Sequence, residues 1–304
     1  MTAAIGRIDA SPRFADKPAV TLNADPLSAV AALPLWDGTP RFDVLDGGIS
    51  NLSYVATDRR GRYVVRLTRD FPFHDVYRDR EGEVARAAYR AGLAPELLHA
   101  GPGVMISRYL DAKTLGAADV RRDIPRVAEL VRRFHREVAT GSTFTFDVFA
   151  VNAGYLRALA EHASASRMAE WSAIHAKLSS MRPNRVPVFG HHDLLPGNIL
   201  DDGRRLWLID FEYAGHGDAR FDLGNLASNA QFTPAQSREL LGAYFDHEGH
   251  DDAAPAHRVM EAASLLREGL WSLVSRQHIR ERNVDYAGYA EQNFARLDDV
   301  LVDL

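Results

Sequence analysis

The stretch that most limits how this chain can fold is residues 187–215, PVFGHHDLLPGNILDDGRRLWLIDFEYAG, where short apolar runs alternate with Gly, Pro and Asp turns. Around it the pattern is helical: 124–138, 153–178, 234–248, 255–282 and 286–304 all carry apolar residues at helical spacing. The first third differs from both. FDVLDGGISNLSYVAT and RYVVRL read as antiparallel strands, with a glycine turn at Gly47 and Gly48 and a hairpin turn near Arg60 and Gly61. Residues 78–91 form a helix ended by Gly92 and Pro95, and ELLHAGPGVMISRYL adds two strands around the turn 101–103. A short helix is expected over 25–33, stopped by Pro34. The change from sheet to helix falls near 109–114, which predicts an α+β chain of two lobes with a ligand cleft between them. The expected division is 1–23 as a poorly ordered lead-in, 24–110 as a small antiparallel-sheet N-lobe and 111–304 as a larger, mostly helical C-lobe.

Composition removes several classes of function. With 304 residues and 46% hydrophobic side chains the chain can bury a core without cross-links. It has no cysteine, so disulfides, thiolate metal sites and a cysteine nucleophile are excluded. A net charge of −5 offers no basic field for nucleic acid. No apolar run is long enough for a membrane span, and the N-terminus lacks a signal-peptide pattern, so a cytoplasmic protein is expected.

The island carries the candidate chemistry. His191, Asp193 and Asn198 form H-x-D-x-x-x-x-N, and Asp210 opens D-F-E twelve residues later, after the apolar run 206–209. Phosphoryl transfer asks little of a protein beyond a group that orients the acceptor hydroxyl and ligands for the metal that neutralises phosphate charge. A carboxylate at 193 can accept the hydroxyl proton. The amide oxygen of Asn198 and the carboxylate of Asp210 suit Mg2+, a hard cation that favours oxygen. A hairpin over Asp202 and Gly203 would return Asp210 beside Asn198. The bland alternative makes these turn residues and a strand-end cap; D-F-E at this distance and the glycines upstream weigh against it.

Gly47 and Gly48, followed by Ser50 and Asn51, let the backbone approach phosphate oxygens closely, although an ordinary hairpin turn explains a lone Gly-Gly equally well. Arg66 is a charge inside the apolar strand YVVRL and needs either solvent or a buried partner. In a kinase cleft it would grip phosphates, positioned by a helix carboxylate; Glu83 is the first candidate and Glu81 the alternative. Tyr109, at the lobe crossing, would offer backbone groups to an adenine ring.

Together these residues resemble the aminoglycoside phosphotransferase and choline kinase group, a branch of the protein-kinase-like fold. The resemblance spans 43–297 and rests on GGISNLSY, YVVRL, RDREGEVARAAYRAGLAPELL, GHHDLLPGNIL, LIDFEYAGHGDARFDLGN and EGLWSLVSRQ with DYAGYAEQNFARL. Arginine at 66, Glu-Tyr after D-F, FDLGN at 221–225 and GLWSL followed by Y-x-x-Y-A make it most similar to choline/ethanolamine kinase. The resemblance implies a cytoplasmic kinase using ATP and Mg2+ on a small-molecule alcohol. Asp193 is then the base, Asn198 and Asp210 the metal ligands, Arg66 and Glu83 the nucleotide-positioning pair, and Asp222 a tie for the catalytic loop. It also implies an aromatic enclosure for a quaternary ammonium from Trp271 and Tyr289, with Tyr286 or Tyr213, where packing of Trp271 into the core is the plain alternative. Two departures thin that enclosure. Asn229 and Ala230 stand where eukaryotic choline kinases have Glu-Trp, and Glu268 stands where they have a second tryptophan. Glu268 is therefore expected to supply the missing negative charge. Ethanolamine, thiamine, another amino alcohol or an aminoglycoside remain alternative acceptors; the last would want acids such as Asp246, Glu248, Asp251 and Asp252, a modest patch that reads more simply as a solvated loop. A catalytically silent nucleotide-binding protein is the reading from another class.

Overall fold

The computed structural model describes residues 26–45, 52–245, 250–279 and 284–304. Gly47, Gly48, Ser50, Asn51, the lead-in 1–23, Asp246 and Glu248 lie outside the described residues, as do the side chains of Asp251 and Asp252.

The N-terminal part opens with α1 (Pro26–Ala31) and runs through β1 (Arg41–Leu45), β2 (Leu52–Asp58), β3 (Gly61–Leu67), α2 (Arg78–Arg90), β4 (Leu97–Gly101) and β5 (Val104–Arg108). Its sheet is antiparallel throughout, in the order β1-β2-β3-β5-β4. The β2–β3 turn is held by Asp58, whose Oδ1 accepts the amides of Arg60 at 2.8 Å and Gly61 at 3.1 Å. Val30, Ala56, Tyr63, Val65 and Ile106 form the buried core under this sheet. The α2 helix ends where the sequence says it should: Gly92 adopts φ +70°, and the amides of Gly92 and Leu93 close on the carbonyls of Tyr89 and Ala88.

The remainder holds β6 (Lys113–Thr114), α3 (Ala117–Arg122), α4 (Ile124–Glu137), α5 (Val148–Leu159), α6 (Ala165–Ser180), β7 (Pro187–Gly190), β8 (Ile199–Asp201), β9 (Leu206–Leu208) and β10 (Gly215–Asp218). It closes with α7 (Ala219–Ala230), α8 (Pro234–Tyr244), α9 (His250–His278) and α10 (Tyr286–Leu301). The helix expected over 153–178 is two helices, because Ser164 begins α6 afresh by capping the amide of Arg167. The α7 helix was not foreseen. It is buried on nearly every side, so it lacks the one-faced stripe that marks a helix in sequence.

Val84, Ala88 and Leu93, in and just after α2, share one core with α4, β8, β9, α7 and α8, so the N-terminal helix is seated on the helical part. The α4 helix buries Ile124, Val127, Leu130, Val131 and Phe134 along one face. Phe134 stacks on Phe211 at 5.7 Å with planes 4° apart, which anchors the D-F-E turn. A second core gathers α5, α6, α9 and α10. Among the described residues no helix is long and apolar enough to cross a membrane. This is the α+β, protein-kinase-like arrangement of a five-stranded antiparallel sheet beside a mostly helical part.

Candidate active site

The loop between β7 and β8 is held from below by α7. Asp222 is fully buried and accepts the amides of His191 and His192, each at 2.7 Å, one on each oxygen. Its Oδ2 also lies 2.8 Å from His135 Nε2. Burial works to raise the Asp222 carboxyl, but His192 and His135 outweigh it and hold the group well below the usual range. One helical turn on, Asn225 Oδ1 accepts the amide of Leu194 at 2.6 Å. The two polar residues of FDLGN thus sit on one face of α7 and grip three amides of the loop, those of His191, His192 and Leu194. His192 has φ +60°, and its ring is clasped by β7 and β10: a Cβ on Gly190 or Gly217 would lie 2.4 Å from it.

Pinned this way, the loop presents Asp193 and turns through Pro196–Asn198 so that the Asn198 amide nitrogen donates to the Asp193 carbonyl at 2.9 Å. No protein donor among the described residues reaches the Asn198 side-chain oxygen. The β8–β9 hairpin then brings the chain back: Ile209 N–H donates to the Asn198 carbonyl at 3.0 Å, and His191 Nε2–H to the Ile209 carbonyl at 3.0 Å. Asp210 follows in a left-handed conformation, φ +66°, which turns its carboxylate toward the sheet.

There Asp210 meets Arg66 of β3, whose Nη2 donates to Oδ1 at 3.0 Å. The other guanidinium nitrogen of Arg66 bonds Glu81 at 2.6 Å. This corrects the expectation for Glu83, which is exposed and accepts the hydroxyl of Thr140. Two residues along a helix turn a side chain by about 200°, so only one of the two acids can face the sheet. Glu81→Gln is accordingly expected to cost about 3 kcal/mol by leaving buried guanidinium charge short of a partner. Glu83→Gln should stay within about 0.5 kcal/mol. Urea denaturation checks this, and equal losses would contradict the pairing. Of the Tyr109 backbone groups, the amide is already given to the Arg62 carbonyl at 3.1 Å.

Two residues of this network carried no assignment from the sequence. Arg78 Nη1 bonds Glu81 at 2.6 Å and Glu212 at 2.7 Å. Oxygens of Glu81, Asp210 and Glu212 all lie within 4.8 Å of one another. Burial works to raise Asp210, yet Arg66 and Arg78 keep it below the usual range. Burial and the neighbouring Asp210 push Glu212 up to about 8. Three carboxyl groups thus face two guanidinium groups and only oxygen donors are on offer. That is a fit for a hard divalent cation such as Mg2+.

On the helical side Asp193 faces α9. Arg267 is buried to 1% exposure, with Nη1 3.3 Å from Asp193 Oδ1 and 2.8 Å from Glu268 Oε1. Burial pushes Asp193 up to about 7, Glu268 and Asp210 add to the rise, and Arg267 opposes it. Tyr289 of α10 donates its hydroxyl to Glu268 at 2.9 Å. Trp271 donates its indole N–H to the Tyr213 hydroxyl at 3.0 Å and stands 6.2 and 6.3 Å from the rings of Tyr286 and Tyr289. The four expected aromatic residues and Glu268 therefore do come together beside Asp193. Arg267 was missed, though a charge pair inside the apolar run SLLREGLW gives the same signal that singled out Arg66. A surface hollow of about 710 Å³ lies elsewhere, between α4 and α8, lined by groups such as Glu129 and Arg238 and by none of these residues.

A five-stranded antiparallel sheet beside a mostly helical part, with Asp193, Asn198 and Asp210 gathered near the Arg66–Glu81 pair, has the residue types that phosphoryl transfer asks for. Residues 42–266 match the model of the phosphotransferase enzyme family, APH, and the chain belongs to that family. It is similar to protein LicA of Haemophilus influenzae, 26% identical over 260 residues covering 80% of this chain and 75% of LicA. A probable ethanolamine kinase of Arabidopsis thaliana is 27% identical over 60% of this chain and 54% of its own length. Among solved structures, a choline/ethanolamine kinase family protein from Mesorhizobium loti superposes with a TM-score of 0.77 at 28% identity, covering 90% of this chain and 92% of that one.

Proposed function

We propose that this choline/ethanolamine kinase-like enzyme transfers the γ-phosphoryl group of ATP, with Mg2+, to the hydroxyl of a small amino alcohol. The observation that carries the reading is the convergence of Asp193, Asn198 and Asp210 with the Arg66–Glu81 pair. Asp193 orients the acceptor hydroxyl and takes its proton as the oxygen bonds to phosphorus and the bond to the ADP oxygen breaks. Arg66, steadied by Glu81, faces the phosphates. Asn198 and Asp210, with Glu212 beside them, are the residues that would hold Mg2+. When bound, that ion neutralises charge on the phosphates. The protein contributes position and charge, and no covalent enzyme intermediate is needed. Trp271, Tyr213, Tyr286, Tyr289 and Glu268 form the acceptor side. A cytoplasmic setting fits a reaction that consumes ATP.

The test is ATP turnover with choline, ethanolamine, thiamine and an aminoglycoside, with and without Mg2+. An amino alcohol should be phosphorylated only when Mg2+ is present. Silence toward every acceptor would sink the proposal.

A further inference from the structure

Two of the aromatic groups on the acceptor side, Trp271 and Tyr213, each already have a partner on one face. His74 is carried by the one-turn helix Pro72–His74 between β3 and α2, and it reaches across to α9. Its ring stacks on Trp271 at 5.4 Å with planes 23° apart. The ring is fixed at both nitrogens, Nδ1 3.0 Å from the Tyr155 hydroxyl and Nε2 2.7 Å from Ser275 Oγ. Burial lowers its basicity well below the ordinary value, helped by the Arg267 charge, so it stacks as a neutral ring. Behind it Phe73 stacks on His278 at 4.4 Å, which backs the same wall. The face of Tyr213 is taken as well, because the Arg267 guanidinium carbon sits 4.4 Å from its ring centroid. The protein has placed its own cation where a ligand cation would stack.

A quaternary ammonium has no N–H and is held by ring faces. A primary ammonium has three N–H groups and is held by oxygens. Beside the rings stand carboxylate oxygens: Glu268 uses one bond on each, to Arg267 and to Tyr289, and each has a further lone pair. The Tyr213 hydroxyl, which accepts from Trp271, adds a phenolic oxygen alongside.

We infer that the acceptor pocket selects an alcohol bearing a primary ammonium over one bearing a quaternary ammonium, with His74 and Arg267 as the residues that set the choice. The inference rests on the kinase reading above and deepens it by naming the substrate class. It assigns His74, on the sheet-bearing side, to the acceptor pocket.

Steady-state kinetics with ethanolamine and choline, paired with calorimetric binding of each in the presence of a non-hydrolysable ATP analogue and Mg2+, tests it. The wild-type kcat/KM is expected to favour ethanolamine by about 10-fold or more, the scale of one desolvated ring–cation contact. His74→Ala uncovers a Trp271 face and should narrow that ratio, chiefly by lowering the KM for choline. A merely structural role for His74 would depress both substrates alike and leave the ratio unchanged. A thermal melt accompanies the variant; if it is unfolded, His74→Asn serves instead, and if both fail the wild-type ratio decides. Equal or choline-favouring kinetics and binding in the wild type overturn the inference, as does a folded His74 variant with an unchanged ratio. Absence of turnover with every alcohol, alongside selective binding of ethanolamine, would overturn the kinase reading and leave the selectivity standing. Binding of neither cation would overturn the selectivity itself.

Discussion

Asp193→Asn is expected to lower turnover by about 10²–10⁴-fold, the usual contribution of a positioned proton acceptor. The replacement keeps the size of the side chain but removes its ability to take the hydroxyl proton, along with the charge that faces Arg267. The proposed nucleotide side, Arg66, Glu81, Asn198 and Asp210, keeps its bonds, so the KM for ATP should change by no more than about threefold. The same residue sets the pH dependence. Burial, with the Glu268 and Asp210 charges, raises its pKa to about 7 against the pull of Arg267. A raised carboxyl is protonated below that pH and cannot act as base, so kcat/KM should climb with pH and level off above about 7. On the acid side each pH unit costs about tenfold. Steady-state rates between pH 5 and 9 check both points. A near-normal rate in the variant would remove Asp193 from its role, and a flat profile would contradict the burial argument.

The second large effect concerns a residue that touches no substrate. Asp222→Ala is expected to cost about 3–5 kcal/mol of stability and to abolish turnover. Its carboxylate is the acceptor for two loop amides and faces two histidines, all with no solvent to replace it. Removing it leaves the amides of His191 and His192 without partners in a dry site, at about 1–3 kcal/mol apiece. Denaturant unfolding measures the loss. A variant within about 1 kcal/mol of the wild type would mean that the clasp of Gly190 and Gly217 on the His192 ring fixes the loop unaided.

Much of this was readable from residue order, for physical reasons that differ by element. The strands of the sheet are short runs rich in Val, Tyr and Leu, and the turns at Gly61 and Gly103 carry the residues that positive φ demands, so the first third was legible. The convergence of Asp193, Asn198 and Asp210 was legible because the three stand at fixed separations along one loop and one hairpin. The α7 helix was not, because a helix buried all round shows no periodicity. The choice between Glu81 and Glu83 turned on which helix face meets the sheet, and that is decided by the packing of α2 against β4 and the shared core. His74 was invisible for a further reason. Its importance lies in Trp271, Ser275 and Tyr155, residues 81 to 201 positions away for the two that bond it, and no local pattern encodes such a meeting.

The left-handed backbone at Asp210 has a consequence of its own. That conformation suits glycine and, less well, asparagine or aspartate, and it resists every branched side chain. The metal-ligand role proposed for the same residue asks for a carboxylate on a short stem, which excludes glycine and asparagine for want of charge and glutamate for its length. Two unrelated requirements overlap on a single amino acid. Drift at this position is therefore closed in both directions: a sequence that relaxes the strain loses the ligand, and one that lengthens the ligand cannot make the turn.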